Sequence, residues 1–84
     1  VKLLEFEDGK VELIETRLTD ASLLVGRTIS DVTIPRECSI VAILRDGHVV
    51  FPRPETVIAS GDEVVLLTSS SISEEVAKIF EIQK

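Results

Sequence analysis

Apolar and polar residues alternate through Leu3–Glu7 and Val11–Leu18, and the two runs are joined by Asp8-Gly9. Successive strand residues point to opposite faces, so this period of two predicts two strands. An Asp-Gly pair between them is a strong signal for a two-residue type I′ hairpin turn. The resulting register sets Glu7 facing Lys10, Phe6 opposite Val11 and Leu4 opposite Leu13, an apolar face for a half-buried ribbon. The other face sets Leu3 against Ile14 and Glu5 against Glu12.

The same pattern recurs in the middle of the chain. Ser39–Arg45 and His48–Pro52 flank Asp46-Gly47, which predicts a second hairpin with Leu44 opposite Val49 and Ala42 opposite Phe51. Ile43 and Val50 fall opposite each other on the other face, alongside Val41. Both faces of this ribbon are apolar near its middle, so both call for a cover. One cover is the domain core, and the other is a helix or a second subunit. Val41, Ile43 and Val50 are therefore candidate dimer-contact residues.

Between the hairpins, Thr19–Ser22 reads as a turn, and Gly26 breaks any long helix. Thr28 followed by Asp31 has the shape of a capping box, predicting a short helix over Thr28–Val32 that ends before Pro35. Pro52-Arg53-Pro54 imposes extended backbone, and Gly61-Asp62 turns the chain into a strand at Glu63–Thr68. Ile72, Val76, Ile79 and Phe80 share one face at helical spacing, predicting a last helix from Ile72 to Ile82 with Ser71 as its cap. The expectation is a single α+β domain over residues 1–84, with a small antiparallel or mixed β-sheet and two helices.

With 84 residues, 15 of them acidic and 9 basic, the chain carries a net charge of −6. That balance repels phosphate backbones, which argues against a nucleic-acid partner, although a pocket with one or two cations could still hold a small anion. Aromatic residues are 4% of the chain, so Val, Ile and Leu must build the core around Phe6, Phe51 and Phe80. No apolar run approaches the ~20 residues of a membrane-spanning helix. The first residue is Val1 and not Met, as expected of a piece cut from a longer chain.

Catalytic chemistry finds little purchase. His48 follows a hairpin tip with no orienting partner in view, and Cys38 reads as a small filler beside a strand. Glu5, Glu7, Asp8 and Glu12 cluster around one turn without a cation-loop spacing, and read as a charged strand edge, so no metal site is assigned. Gly26-Arg27-Thr28 lacks the earlier glycine of a phosphate-binding loop. The expectation is a non-enzymatic domain with no cofactor of its own.

The segment Ser22-Leu23-Leu24-Val25-Gly26-Arg27-Thr28-Ile29 is followed by Ser39–Gly47 and then by Pro52, Pro54, Thr56, Ile58 and Gly61-Asp62. In this order the pieces resemble the TrkA-C family, the C-terminal lobe of potassium-uptake and potassium-channel regulators (the RCK C-terminal domain), over residues 11 to 82. Leu23 stands where many members carry proline. Gly26, Gly61 and Asp62 are the fold-making positions of the motif. The resemblance implies a homodimeric regulatory domain that senses a ligand and acts on a membrane-embedded potassium channel or transporter. It implies a cytoplasmic place at the inner face of the membrane, and an upstream Rossmann nucleotide-binding lobe whose Gly-rich fingerprint is absent here. Some relatives bind a small nucleotide such as cyclic di-AMP between paired lobes. By resemblance the matching residues are Arg36, offering charge to a phosphate, Ser39, and Ile40 and Pro52 as an apolar wall. The alternatives are a ligand-free dimerisation scaffold, or a sensor fused to an exchanger or anion carrier.

Overall fold

The first hairpin turns where Asp8-Gly9 predicts. In the computed structural model, which describes residues 2–81, Asp8 and Gly9 take φ of 57° and 82°, and the Lys10 amide donates to the Glu7 carbonyl at 3.1 Å. The turn joins β1 (Lys2–Phe6) to β2 (Val11–Arg17). Phe6 pairs with Val11, Glu5 with Glu12 and Leu4 with Leu13. Beyond Leu4 a bulge intervenes, so Lys2 and not Leu3 lies opposite Ile14. The half-buried ribbon holds only in part: β2 is largely covered, whereas β1 is exposed along its whole length.

Three further strands follow: β3 (Cys38–Arg45), β4 (His48–Val50) and β5 (Glu63–Ser69). The five strands form one antiparallel sheet in the order β1-β2-β5-β3-β4, with β5 inserted between the two hairpins. In the second hairpin Leu44 pairs with Val49 and Ile43 with Val50 as expected, but β4 ends at Val50, so Phe51 has no place in the ladder opposite Ala42. A single α-helix, α1 (Ser73–Glu81), closes the described chain, preceded by a 3-10 turn over Ser70–Ile72 that absorbs Ser71, the expected cap. The end expected at Ile82 lies outside the described residues.

The first expected helix is reduced to one 3-10 turn, Ile29–Asp31. The Thr28 side chain makes no cap, because its hydroxyl is engaged with the Ser30 hydroxyl at 3.1 Å. With Gly26 before it and Pro35 after it, the segment is too short to repeat the helical hydrogen-bond pattern. The α+β class stands.

One face of the sheet is packed. Ile14 and Leu66 pair in register, Leu66 pairs with Ile40, and Val76 and Phe80 of α1 join them in the core with Leu18, Leu24 and Ile58. Phe80 is fully buried, a placement worth about 2–3 kcal/mol relative to solvent exposure. A β-bulge between Ile40 and Ala42 makes Val41 the extra residue of β3 and reverses the alternation of the strand there. Cys38 and Ile40 therefore face the core before it, and Ile43, registered against Val64, faces the core after it. Only one face of this hairpin is covered within the chain; on the other, Val49 and the β1 residues Leu4 and Phe6 are exposed.

Gly26 makes the elbow between β2 and the 3-10 turn at φ 91°, where its amide donates to the Ile58 carbonyl and the Ile58 amide donates to Arg27, both at 2.8 Å. These two hydrogen bonds strap the loop after β2 to the segment entering β5.

Candidate functional site

The N-terminal half of β3 forms one wall of a shallow cleft of about 350 Å³. β4 covers only Ile43, Leu44 and Arg45 of β3, so residues 38–42 border open space. Ser39 and Ile40 from β3 meet Ile29 and Ile34 from the connecting loop, and Pro52-Arg53-Pro54 closes the far side. The loop is tied to this proline segment: the Ile29 amide donates to the Thr56 carbonyl at 2.9 Å and the Ser30 amide to the Pro54 carbonyl at 3.0 Å. Proline at 52 withdraws an amide from the β4 ladder, and Pro54, where extended backbone was expected, instead enters a turn closed by the Thr56 amide donating to the Arg53 carbonyl at 3.0 Å.

The cleft thus joins Ser39, Ile40 and Pro52, all three named from the sequence. Arg36 is not on its wall; it lines a neighbouring groove of about 250 Å³ with Glu37, Leu67 and Ser69, which shares Cys38 and Ser39 with the cleft. The cation in the cleft is Arg53, whose guanidinium has no partner among the described residues. From the sequence Arg53 is only the middle of an extended Pro52-Arg53-Pro54 run, yet its position between two prolines was the available signal. The surface is therefore apolar (Ile29, Ile34, Ile40, Pro52) with one unpaired positive charge and the hydroxyls of Ser30 and Ser39 at its rim. Such a surface suits a ligand with flat apolar parts and an anionic group.

Of the expected dimer-contact residues, Ile43 is fully buried in the core and can touch no second subunit. The bulge is the reason, since it turns Ile43 inward and leaves Val41, on the strand's exposed stretch, 38% accessible. Val50 is half-buried opposite Ile43.

A second, polar depression of about 280 Å³ surrounds Arg45 and Asp62. Asp62 is completely buried. Its carboxylate accepts from Arg45 Nε and Nη2, each at 2.8 Å, and from the Ala59 amide at 2.9 Å, while the same Nη2 donates to the Val57 carbonyl at 2.9 Å. Burial alone would push this carboxyl up; the hydrogen bonds from Arg45 and Ala59 and the adjacent charge outweigh it and hold Asp62 below the ordinary carboxylate range. With both charges mutually satisfied, this depression is a structural clasp. The turn at Gly61-Asp62 was expected from the sequence; the clasp to Arg45 was not.

Burial pushes the Cys38 thiol up, away from the thiolate form that a nucleophile needs. Among the described residues no group of three or more His, Cys, Asp or Glu is placed to hold a metal, and no helix is long and apolar enough to cross a membrane.

The profile of the TrkA-C domain matches residues 13–81. A Trk system potassium uptake protein TrkA homolog of Archaeoglobus fulgidus is 34% identical over 80 residues, covering 95% of this chain and 18% of that protein. The Mycobacterium tuberculosis potassium uptake protein TrkA is 29% identical over 79 residues, covering 94% of this chain and 36% of its own length. The chain thus spans well under half of either relative. Among solved structures, an RCK domain with cda superposes with a TM-score of 0.69 at 17% identity, covering 82% of this chain and 97% of that one. The RCK_C domain dimer of S. agalactiae BusR in complex with c-di-AMP superposes at 0.68 and 22% identity, covering 81% of this chain and 93% of that one. These two likenesses establish the shared fold, and the match over residues 13–81 establishes that the chain belongs to the TrkA-C domain family.

Proposed function

We propose that this domain is the effector-binding and dimerisation lobe of a regulator of potassium transport, and that it acts by binding and not by turnover. The observation that carries the reading is the cleft itself: an apolar floor of Ile29, Ile34, Ile40 and Pro52 beside the unpaired Arg53 guanidinium. A cyclic dinucleotide presents flat bases to such a floor and a phosphodiester to such a cation. The curated relatives are potassium uptake proteins, and two solved structures of the same fold hold cda or c-di-AMP, which makes cyclic di-AMP the first effector to try. Binding would favour one arrangement of paired lobes and thereby shift the state of an attached channel or transporter on the cytoplasmic side of the membrane.

Isothermal titration of the domain with cyclic di-AMP, and with ATP and AMP as comparisons, tests the proposal. Saturable heat with cyclic di-AMP that disappears in Arg53→Ala supports it. Absence of heat with every nucleotide favours the second reading, a scaffold whose only task is pairing.

A further inference from the structure

We infer that Thr56 is a positioning residue for the effector cleft: its hydroxyl fixes the backbone from which Arg53 reaches an anionic ligand. The inference rests on the proposed function and names what aims the cation of that site.

The run Pro52-Arg53-Pro54 has few groups by which it can be anchored. Proline carries no amide hydrogen, so Arg53 holds the one backbone donor of the three residues. That donor goes to the Thr56 hydroxyl oxygen at 2.9 Å. In return the Thr56 amide donates to the Arg53 carbonyl at 3.0 Å, so the two residues hold each other across a four-residue turn. Thr56 is bonded a third time through its carbonyl, which accepts from the Ile29 amide at 2.9 Å. Among the described residues it alone bonds both the backbone of Arg53 and the loop that supplies Ile29 to the cleft.

Arg53 cannot supply this order itself. The residue is exposed and its guanidinium has no partner among the described residues, so its aim is set at the root of the side chain. A long side chain fixed at its root loses less freedom on meeting an anion than one whose root also turns. The peptide plane between Pro52 and Arg53 carries the bonded amide, and the Thr56 hydroxyl opposes its rotation. What this demands of residue 56 is narrow: a short side chain with an acceptor oxygen, which serine shares and valine lacks. Thr56 is not on the cleft wall, so its effect on a ligand runs through Arg53.

The test titrates five forms of the domain with cyclic di-AMP by chemical shift, which also reads weak binding: the parent, Thr56→Val, Thr56→Ser, Arg53→Ala and Arg53→Ala with Thr56→Val. Thr56→Val should weaken binding about tenfold, and Thr56→Ser by less than about threefold. In the Arg53→Ala background the valine should cost nothing further, because no guanidinium is left to aim. A threonine with only a structural role would weaken both backgrounds alike. Without ligand, amide exchange at Arg53 should quicken at least about fivefold in Thr56→Val, while the Ile29 amide, bonded to the Thr56 carbonyl, stays protected. A parent that binds, with Thr56→Val at parental affinity or with equal losses in the two backgrounds, overturns the role of Thr56 and leaves the cleft standing. A parent that takes up no cyclic di-AMP overturns the effector reading and the positioning role together.

Discussion

Arg45 and Asp62 stand 17 residues apart in sequence and are joined by two hydrogen bonds of 2.8 Å. The pair ties the end of β3 to the turn that launches β5, and through Nη2 it also ties in the Val57 carbonyl. Three segments that could otherwise separate are thereby held to one ion pair. Replacing Asp62 with Asn keeps the shape but leaves the guanidinium without a counter-charge, and should destabilise the domain by about 3 kcal/mol, read as a lowered urea midpoint with unchanged slope.

The same clasp sets an acid limit. In the unfolded chain Asp62 titrates near ~4, and in the folded chain it titrates lower. A depressed native pKa means that the unfolded state binds the proton more readily. The stability from this group is therefore complete above the unfolded value and is lost as pH falls through the folded one. Urea midpoints of the parent and Asp62→Asn should differ most at pH 7 and converge as pH is lowered below about 4. A gap that is constant with pH would contradict the ionised clasp.

Gly26 has open space around its α-carbon but sits at φ 91°. Gly26→Ala should therefore lose stability through backbone strain alone, about 1–2 kcal/mol, with no clash to relieve. Thermal unfolding reads the loss, and a conserved amide spectrum outside residues 25–29 would show that the elbow is strained and not rebuilt.

Phe80 closes the packed face from α1, in contact with a core that includes Ile14, Leu18 and Leu66. Phe80→Ala should cost roughly 3–5 kcal/mol, a large fraction of the stability of so small a domain, and should lower the unfolding midpoint more than any exposed substitution.

Much of this architecture was legible from local pattern. Both Asp-Gly turns, the pairs Phe6–Val11 and Leu44–Val49, and the apolar stripe Ile72-Val76-Ile79-Phe80 follow from period and turn chemistry, which act over a few residues. What escaped depends on distant partners. The bulge at Val41 is set by the β5 ladder, so Ile43 looked like surface and is core. The short segment after Thr28 stays a single 3-10 turn, and its first two amides are bonded to Thr56 and Pro54, residues far along the chain. In the cleft, apolar Ile40 and Pro52 were legible through the family resemblance. Which arginine joins them was not, since Arg53 reaches the cleft only after the proline segment folds back across β3.

That difference between the two arginines is measurable. Arg53→Ala should weaken binding of cyclic di-AMP by about 10- to 100-fold, the worth of a charge-assisted hydrogen bond, whereas Arg36→Ala in the neighbouring groove should change it by less than about threefold. A reversed order would move the anion site into the groove beside Leu67.

The most direct test of the effector cleft is a titration of the ¹⁵N-labelled domain with cyclic di-AMP, followed amide by amide. Saturable shifts centred on Ser30, Ser39, Ile40 and Arg53 are the predicted result, with the amides of the outer hairpin unmoved. A spectrum that stays still, or one that moves only around Arg45 and Asp62, would contradict it.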